Sequence, residues 1–221
     1  GRDLTMRYDT YRGVFNTDII EGNTPSGSME LPTIFRSDAS PDRLISFDKA
    51  IRSADVDQWV HFFIHDYQFT RIIRDPWRYL PILQRFEGVV SPDFSIFWNY
   101  PLYLQLQSIA RSRETGSWLQ RNGVPVIPCV RWGKKETYEF AFDGIEPGGT
   151  VAVGTAGCMR EKESRKVFEK GFPEMLDRLR PERIIVYGSA KNQVFSIAEA
   201  GGIEIKAFQT STSLAFERAA S

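Results

Sequence analysis

Short apolar, β-branched or aromatic runs recur along this chain at residues 59–65, 88–91, 124–130, 150–153, 183–187 and 203–208. Such runs, bounded by turn-forming residues, predict strands. Most are separated by stretches of helical character, at 76–86, 102–120, 162–179 and 194–200. In the third stretch Phe168, Phe172, Leu176 and Leu179 share one face, with Lys, Arg and Glu opposite. Strands joined by helical crossovers run parallel, and those crossovers are almost always right-handed. The expected fold class is therefore α/β with a mostly parallel sheet. Six strong strands and weaker ones near Ile34 and Leu44 approach the count of a (β/α) barrel. A barrel-like arrangement is thus favoured slightly over an open doubly wound sheet.

Boundary residues agree with this pattern. Asp75 before Pro76 reads as an N-cap with proline at the first helical position, and Gly88 fits a stop two residues after Phe86. Asn122-Gly123 closes the long helix before Val124 opens the next strand. Upstream of Leu44 there is no sustained periodicity, and residues 21–28 are the clearest loop signal. Leu31, Ile34 and Phe35 are too few for a second core. The expected organisation is an N-terminal arm, 1–43, packed on one α/β domain, 44–221.

Acidic and basic residues balance at 28 each, and apolar residues make up 42% of the chain. A sizeable core is expected, with no global field drawing the protein to nucleic acid or an anionic membrane. Cys129 and Cys158 are too isolated for a disulfide framework or a paired-cysteine zinc site, which suggests a reducing compartment. No apolar run approaches bilayer length, so no membrane association and a cytoplasmic location are expected.

Parallel α/β folds bind ligands beyond the carboxyl ends of their strands. Here those ends carry the polar segments 65–67, 91–95, 129–133, 154–158 and 187–189. Asp66 and Asp93 are candidate catalytic carboxylates, for acid/base work or as oxygen ligands to a divalent cation; each could equally cap the turn after it. Arg131 is a candidate bidentate clamp for a carboxylate or phosphate, with Trp132 as a stacking surface; the alternative is an ion pair with one of the two aspartates. Gly154, Thr155 and Gly157 lie in a loop whose backbone donors could wrap an anion ahead of the helix near Glu161, although no Walker-type Gly-Lys-Ser/Thr follows. The same helix start would depress the Cys158 thiol pKa and make it a nucleophile, against the commoner outcome of a small buried cysteine. Tyr187 and Ser189 alternate onto one face and could donate hydrogen bonds to a ligand or close the pocket. His61 and His65 stand about 13 Å apart on an extended strand, too far to share a metal. No partner for a Ser-His-Asp relay is in view. Phe94, Phe97, Trp98 and Tyr100 form either a stacking platform or the packing of the next helix. Cofactor and metal identity stay open.

The segments 61–69, 88–95, 130–133, 142–145, Gly157-Cys158 and 186–189, in that order, resemble the domain-of-unknown-function 4417 family from about residue 44 to about residue 210. The resemblance implies an uncharacterised family of bacteria, phages and mobile elements, with no established reaction, cofactor or catalytic residue. The chain departs from the family pattern at Cys129, where Asn is expected, at Lys134, where an acidic residue is common, and at Ala156, where the Gly-Thr-His-Gly-Cys form has His. Ala156 weakens any scheme that places a general acid in that loop.

The leading expectation is an enzyme that binds an anionic small molecule, nucleotide-like or a sugar phosphate, at the strand ends for hydrolysis or group transfer. Its alternative is a non-catalytic accessory protein of a phage or mobile element, binding a protein or nucleic-acid partner through its arm and helices. Neutral net charge disfavours the nucleic-acid version. A ligand sensor with the same pocket is the third.

Overall fold

The computed structural model describes residues 17–220, so positions 1–16 of the expected arm lie outside the described residues. A 3₁₀ turn at Thr17–Ile20 precedes a small hairpin of β1 (Pro25–Ser26) and β2 (Leu31–Pro32). Then follow β3 (Leu44–Ser46), α1 (Phe47–Ala50), β4 (Trp59–His61), α2 (Arg71–Arg74), α3 (Pro76–Leu83), β5 (Gly88–Val90), α4 (Leu102–Arg121) and β6 (Val126–Ile127). The remainder is β7 (Thr150–Gly154), α5 (Lys162–Leu179), β8 (Arg183–Tyr187), α6 (Gln193–Ala200), β9 (Glu204–Phe208) and α7 (Ser211–Ala220).

The strands β3 to β9 are all parallel to their neighbours. They form one sheet of order β3-β4-β5-β6 and another of order β7-β8-β9. A single parallel bridge between Cys129 and Ala152 joins the two, with Val130 N donating to the Ala152 carbonyl at 2.9 Å. Spatial order therefore follows chain order without the reversal of a doubly wound sheet. Alternation along each strand sorts the side chains. Val60, Val89 and Val126 join Phe47, Ile72 and Leu83 in one helix-covered core, while Val151, Val153, Ile184 and Val186 join Phe168, Phe172 and Phe195 in another. The intervening residues Trp59, Val90, Ile127, Ala152 and Ile185 meet in a third cluster, against which Leu44 and Phe208 pack. All seven strands thus reach one interior cluster, which requires the sheet to curl. Among the described residues no backbone pairing closes β9 onto β3. That seam is crossed instead by the ion pair Lys206 to Asp42 at 3.0 Å and by Arg183 donating to the carbonyl of Asp38 at 3.0 Å.

The boundary residues act largely as expected. Pro76 opens α3 behind Asp75, whose side chain makes no capping bond. Asn122 ends α4 and donates its side-chain amide to the Trp118 carbonyl at 2.8 Å. Gly88, read from sequence both as the stop after the helix and as the first residue of the next strand, begins β5. A Cβ there would lie 2.4 Å from the Trp59 ring, so the glycine makes room for the interior cluster. Ile34 forms only a single bridge, to Ile145. Ile19, Leu31 and Ile34 are all buried.

Candidate functional site

The loops after all seven strands converge on a cavity of ≈ 940 Å³. Its wall is built in chain order from Ser46 and Asp48, then Phe63 and His65, Asp93 and Ser95, Arg131, the 154–160 loop, 187–191 and 207–213. Of the residues singled out in the sequence, Asp93, Arg131, Gly154, Thr155, Gly157, Tyr187 and Ser189 line it.

Asp93 and Arg131 form one unit. Arg131 Nε and Nη2 grip the carboxylate side-on, Nη2 at 2.8 Å from Oδ2, and the Cys129 thiol donates to Oδ1 at 3.3 Å. The Asp93 side chain is 5% exposed and that of Arg131 33%. Burial opposes charge on Arg131, but the Asp93 carboxylate more than offsets it and holds the guanidinium pKa above its ordinary value. Both oxygens of Asp93 are engaged by donors, which makes it a positioning carboxylate in this arrangement. Arg131 Nη1 makes no hydrogen bond among the described residues. Cys129, where the resemblance leads to an expectation of Asn, supplies a donor to Asp93, while Lys134 sits 4.6 Å from the centre of the Trp98 ring.

Asp66 is turned to another task. It accepts from Ser95 Oγ at 2.8 Å and from Ser95 N, and so fixes the β5 loop, bringing Ser95 rather than itself to the wall. Trp132 also lies off the wall. Neighbouring residues of an extended segment face opposite ways; Arg131 faces the cavity, and Trp132 packs against Phe168 at 5.1 Å with its indole N–H on the Val167 carbonyl. Cys158 is half-buried, and burial raises its thiol pKa, opposite to the depression expected from the start of α5. It lines a side pocket of ≈ 80 Å³ with Trp98, Trp132 and Phe168, adjoining the main cavity at Arg131 and Gly154.

The 154–158 loop is held by Thr155, whose N–H donates to the Tyr187 carbonyl at 3.0 Å and whose hydroxyl donates to the Ser189 carbonyl at 2.8 Å. Gly188 permits this approach: its φ is +117°, and a Cβ would lie 2.5 Å from Thr155 Oγ1. The N–H groups of Ala156 and Gly157 make no hydrogen bond among the described residues. Ala156, where the resemblance leads to an expectation of His, contributes a methyl group to the wall.

Lys49, Phe63, Arg160 and Lys191 also line the cavity and were not singled out in the sequence. Among the described residues Lys49, Arg160 and Lys191 make no side-chain hydrogen bond or ion pair. Their sequence signal is only a position shortly after a strand. Phe63 crosses the mouth of the curled sheet to stack on Tyr187, with centroids 5.1 Å apart and planes 7° apart. His61 lies under the same ring at 4.4 Å, buried, with Nδ1 accepting from Phe63 N at 3.1 Å. Burial pushes its pKa down to about 4. His65 stands exposed at the cavity wall. Among the described residues no group of three or more His, Cys, Asp or Glu could hold a metal ion, and no helix is long and apolar enough to cross a membrane.

A parallel α/β scaffold with a cavity at the carboxyl ends of its strands defines the broad class. The chain belongs to the family described as Domain of unknown function (DUF4417), which matches residues 24–208. It is similar to the Gene 1 protein of Mycobacterium phage L5, 32% identical over 173 residues that span 76% of this chain and 74% of that protein. It is also similar to the Gene 1 protein of Mycobacterium phage D29, 36% identical over 129 residues, or 58% of this chain and 48% of that protein. No solved structure matches.

Proposed function

We propose that the cavity binds a phosphate-bearing small molecule of the nucleotide or sugar-phosphate class, for hydrolysis or group transfer. The observation that carries this reading is Arg131, locked side-on by a buried carboxylate with a donor edge unspent, among three cations that have no acidic partner among the described residues. A guanidinium oriented in advance meets an anion without losing rotamer entropy at that moment. The unspent N–H groups of Ala156 and Gly157 add main-chain donors of the kind that suit phosphate oxygens. With Asp93 and Asp66 both engaged, the imidazole of His65 stands with the carboxylate of Asp48 among the groups on the wall able to move a proton.

The test is thermal stability of wild type and Arg131→Met against inorganic phosphate, sugar phosphates and nucleoside phosphates. A ligand at 100 times its Kd adds about 2.7 kcal/mol, a shift of several degrees for a chain of this size. The expected result is a wild-type shift that Arg131→Met loses. No shift with any phosphate-bearing compound, or one that survives in Arg131→Met, overturns the reading. A second reading, a non-catalytic accessory protein that docks on a protein partner, is favoured by one surface: Phe97, Tyr100, Leu102 and Tyr103 are 51%, 49%, 45% and 69% exposed within seven residues. That reading gains if every ligand in the panel fails.

A further inference from the structure

We infer that the ligand is a free nucleoside phosphate, whose base lies on Phe63 while its phosphate meets Arg131, Arg160 and Lys191. The inference rests on the phosphate-binding reading above and narrows it from two ligand classes to one.

Two observations separate a nucleotide from a sugar phosphate. The first is size: at ≈ 940 Å³ the cavity sits near the upper end of the range for small-molecule sites, well beyond what a phosphate or pentose phosphate fills. The second is an exposed aromatic face on the wall. Phe63 and Tyr187 come from opposite parts of the curled sheet and lie within 7° of parallel, and Phe63 remains partly exposed and lines the cavity. A flat apolar ring facing solvent is poorly used by a sugar phosphate and well used by a base, which stacks whatever its identity. The stack is also rigid. Tyr187 closes one side of it with its hydroxyl accepting from Ser211 N at 3.3 Å, and the Phe63 ring would collide with any side chain at Gly154, at 2.9 Å from its ideal Cβ. The choice of a free nucleotide over a nucleic-acid strand follows from the balance of 28 acidic and 28 basic residues, which provides no extended track for a phosphate backbone.

The experiment is calorimetric titration of the full chain with adenosine 5′-monophosphate, uridine 5′-monophosphate, ribose 5-phosphate, inorganic phosphate and a short 5′-phosphorylated oligonucleotide. Both nucleotides are expected to bind about ten- to a hundredfold more tightly than ribose 5-phosphate, the range that stacking one base provides. Phe63→Leu is expected to erase that preference while ribose 5-phosphate affinity stays within about twofold. Phe63→Tyr, which keeps a ring in place, is expected to retain the preference. Equal wild-type affinity for ribose 5-phosphate and the nucleotides overturns the inference and leaves phosphate binding standing, and it needs no variant. A preference that survives in Phe63→Leu, or an oligonucleotide that outcompetes both nucleotides, also overturns it. Failure of all five compounds removes the phosphate-binding reading as well.

Discussion

Two arginines withdrawn from solvent, one behind the cavity and one on its wall, solve the problem of a desolvated cation in opposite ways. Arg113 projects from α4, is 1% exposed and, among the described residues, has no carboxylate partner. Its Nε, Nη1 and Nη2 donate to the carbonyls of Asp143, Cys129 and Ala141, and burial lowers its pKa to about 10. Arg131 has a carboxylate, keeps one terminal nitrogen unspent and has its pKa raised. Engagement of all three nitrogens turns the first cation into a tie between α4 and the segment linking β6 to β7. Partial engagement leaves the second with something to offer a ligand. Burial of charge is therefore a poor guide to function by itself; the donors left over are the better one.

The comparison breaks first at Arg113. Arg113→Ala leaves three carbonyls without donors and a cavity in the core, and is expected to cost about 4 kcal/mol of unfolding free energy by denaturant titration. A loss under about 1 kcal/mol would mean that water replaces the guanidinium and that the tie is dispensable. A buried group with an accessible titration sharpens the contrast. His61 has its pKa lowered from 6.5 to about 4, so between those pH values the unfolded chain binds a proton that the folded chain refuses. That contribution to stability is constant above pH 6.5 and is expected to fall by about 3 kcal/mol as pH drops toward 4. His61→Phe should flatten this limb of a pH-dependent unfolding series. The smallest effect is expected at the wall. Asp93→Asn removes the charge facing Arg131, but the guanidinium is a third exposed and can turn to water, so about 1–2 kcal/mol is expected rather than the full penalty of an orphaned buried ion. Phosphate-ligand affinity should fall with it as the guanidinium loses its fixed orientation. Unchanged affinity would show that Arg131 needs no positioning.

The regular part of the fold could be read from residues because each strand of β7 to β9 and each helix between them is long enough to display its period. Phe168, Phe172 and Leu179 are buried at helical spacing, as their sequence positions require, with Leu176 packed against the same core. The helices α1 and α2 span four residues each and cannot show a period. Helix α7 buries no residue, so no core imprinted a pattern on it. The strand-end rule led to Arg131, Thr155, Tyr187 and Ser189, all of which line the cavity. It could not say which way Trp132 turned, because the outcome depends on whether Arg131 takes the cavity side. The pairing of Arg131 with Asp93 was one of two open alternatives, since residues 38 positions apart carry no local signal of contact. Phe63 was hidden within an apolar run, where a ring destined for the wall looks the same as a ring destined for the core.

The seam between β9 and β3 gives the scaffold a mechanical character of its own. Six junctions between neighbouring strands are fixed by main-chain hydrogen bonds, and the seventh, among the described residues, by side chains, with Asp42 94% exposed in its pair with Lys206. Asp42 precedes β3 and Arg183 opens β8, so this clasp sits toward the amino-terminal ends of the strands, away from the cavity. Charge fastens the hoop at its floor, where salt weakens it from the side that no ligand approaches.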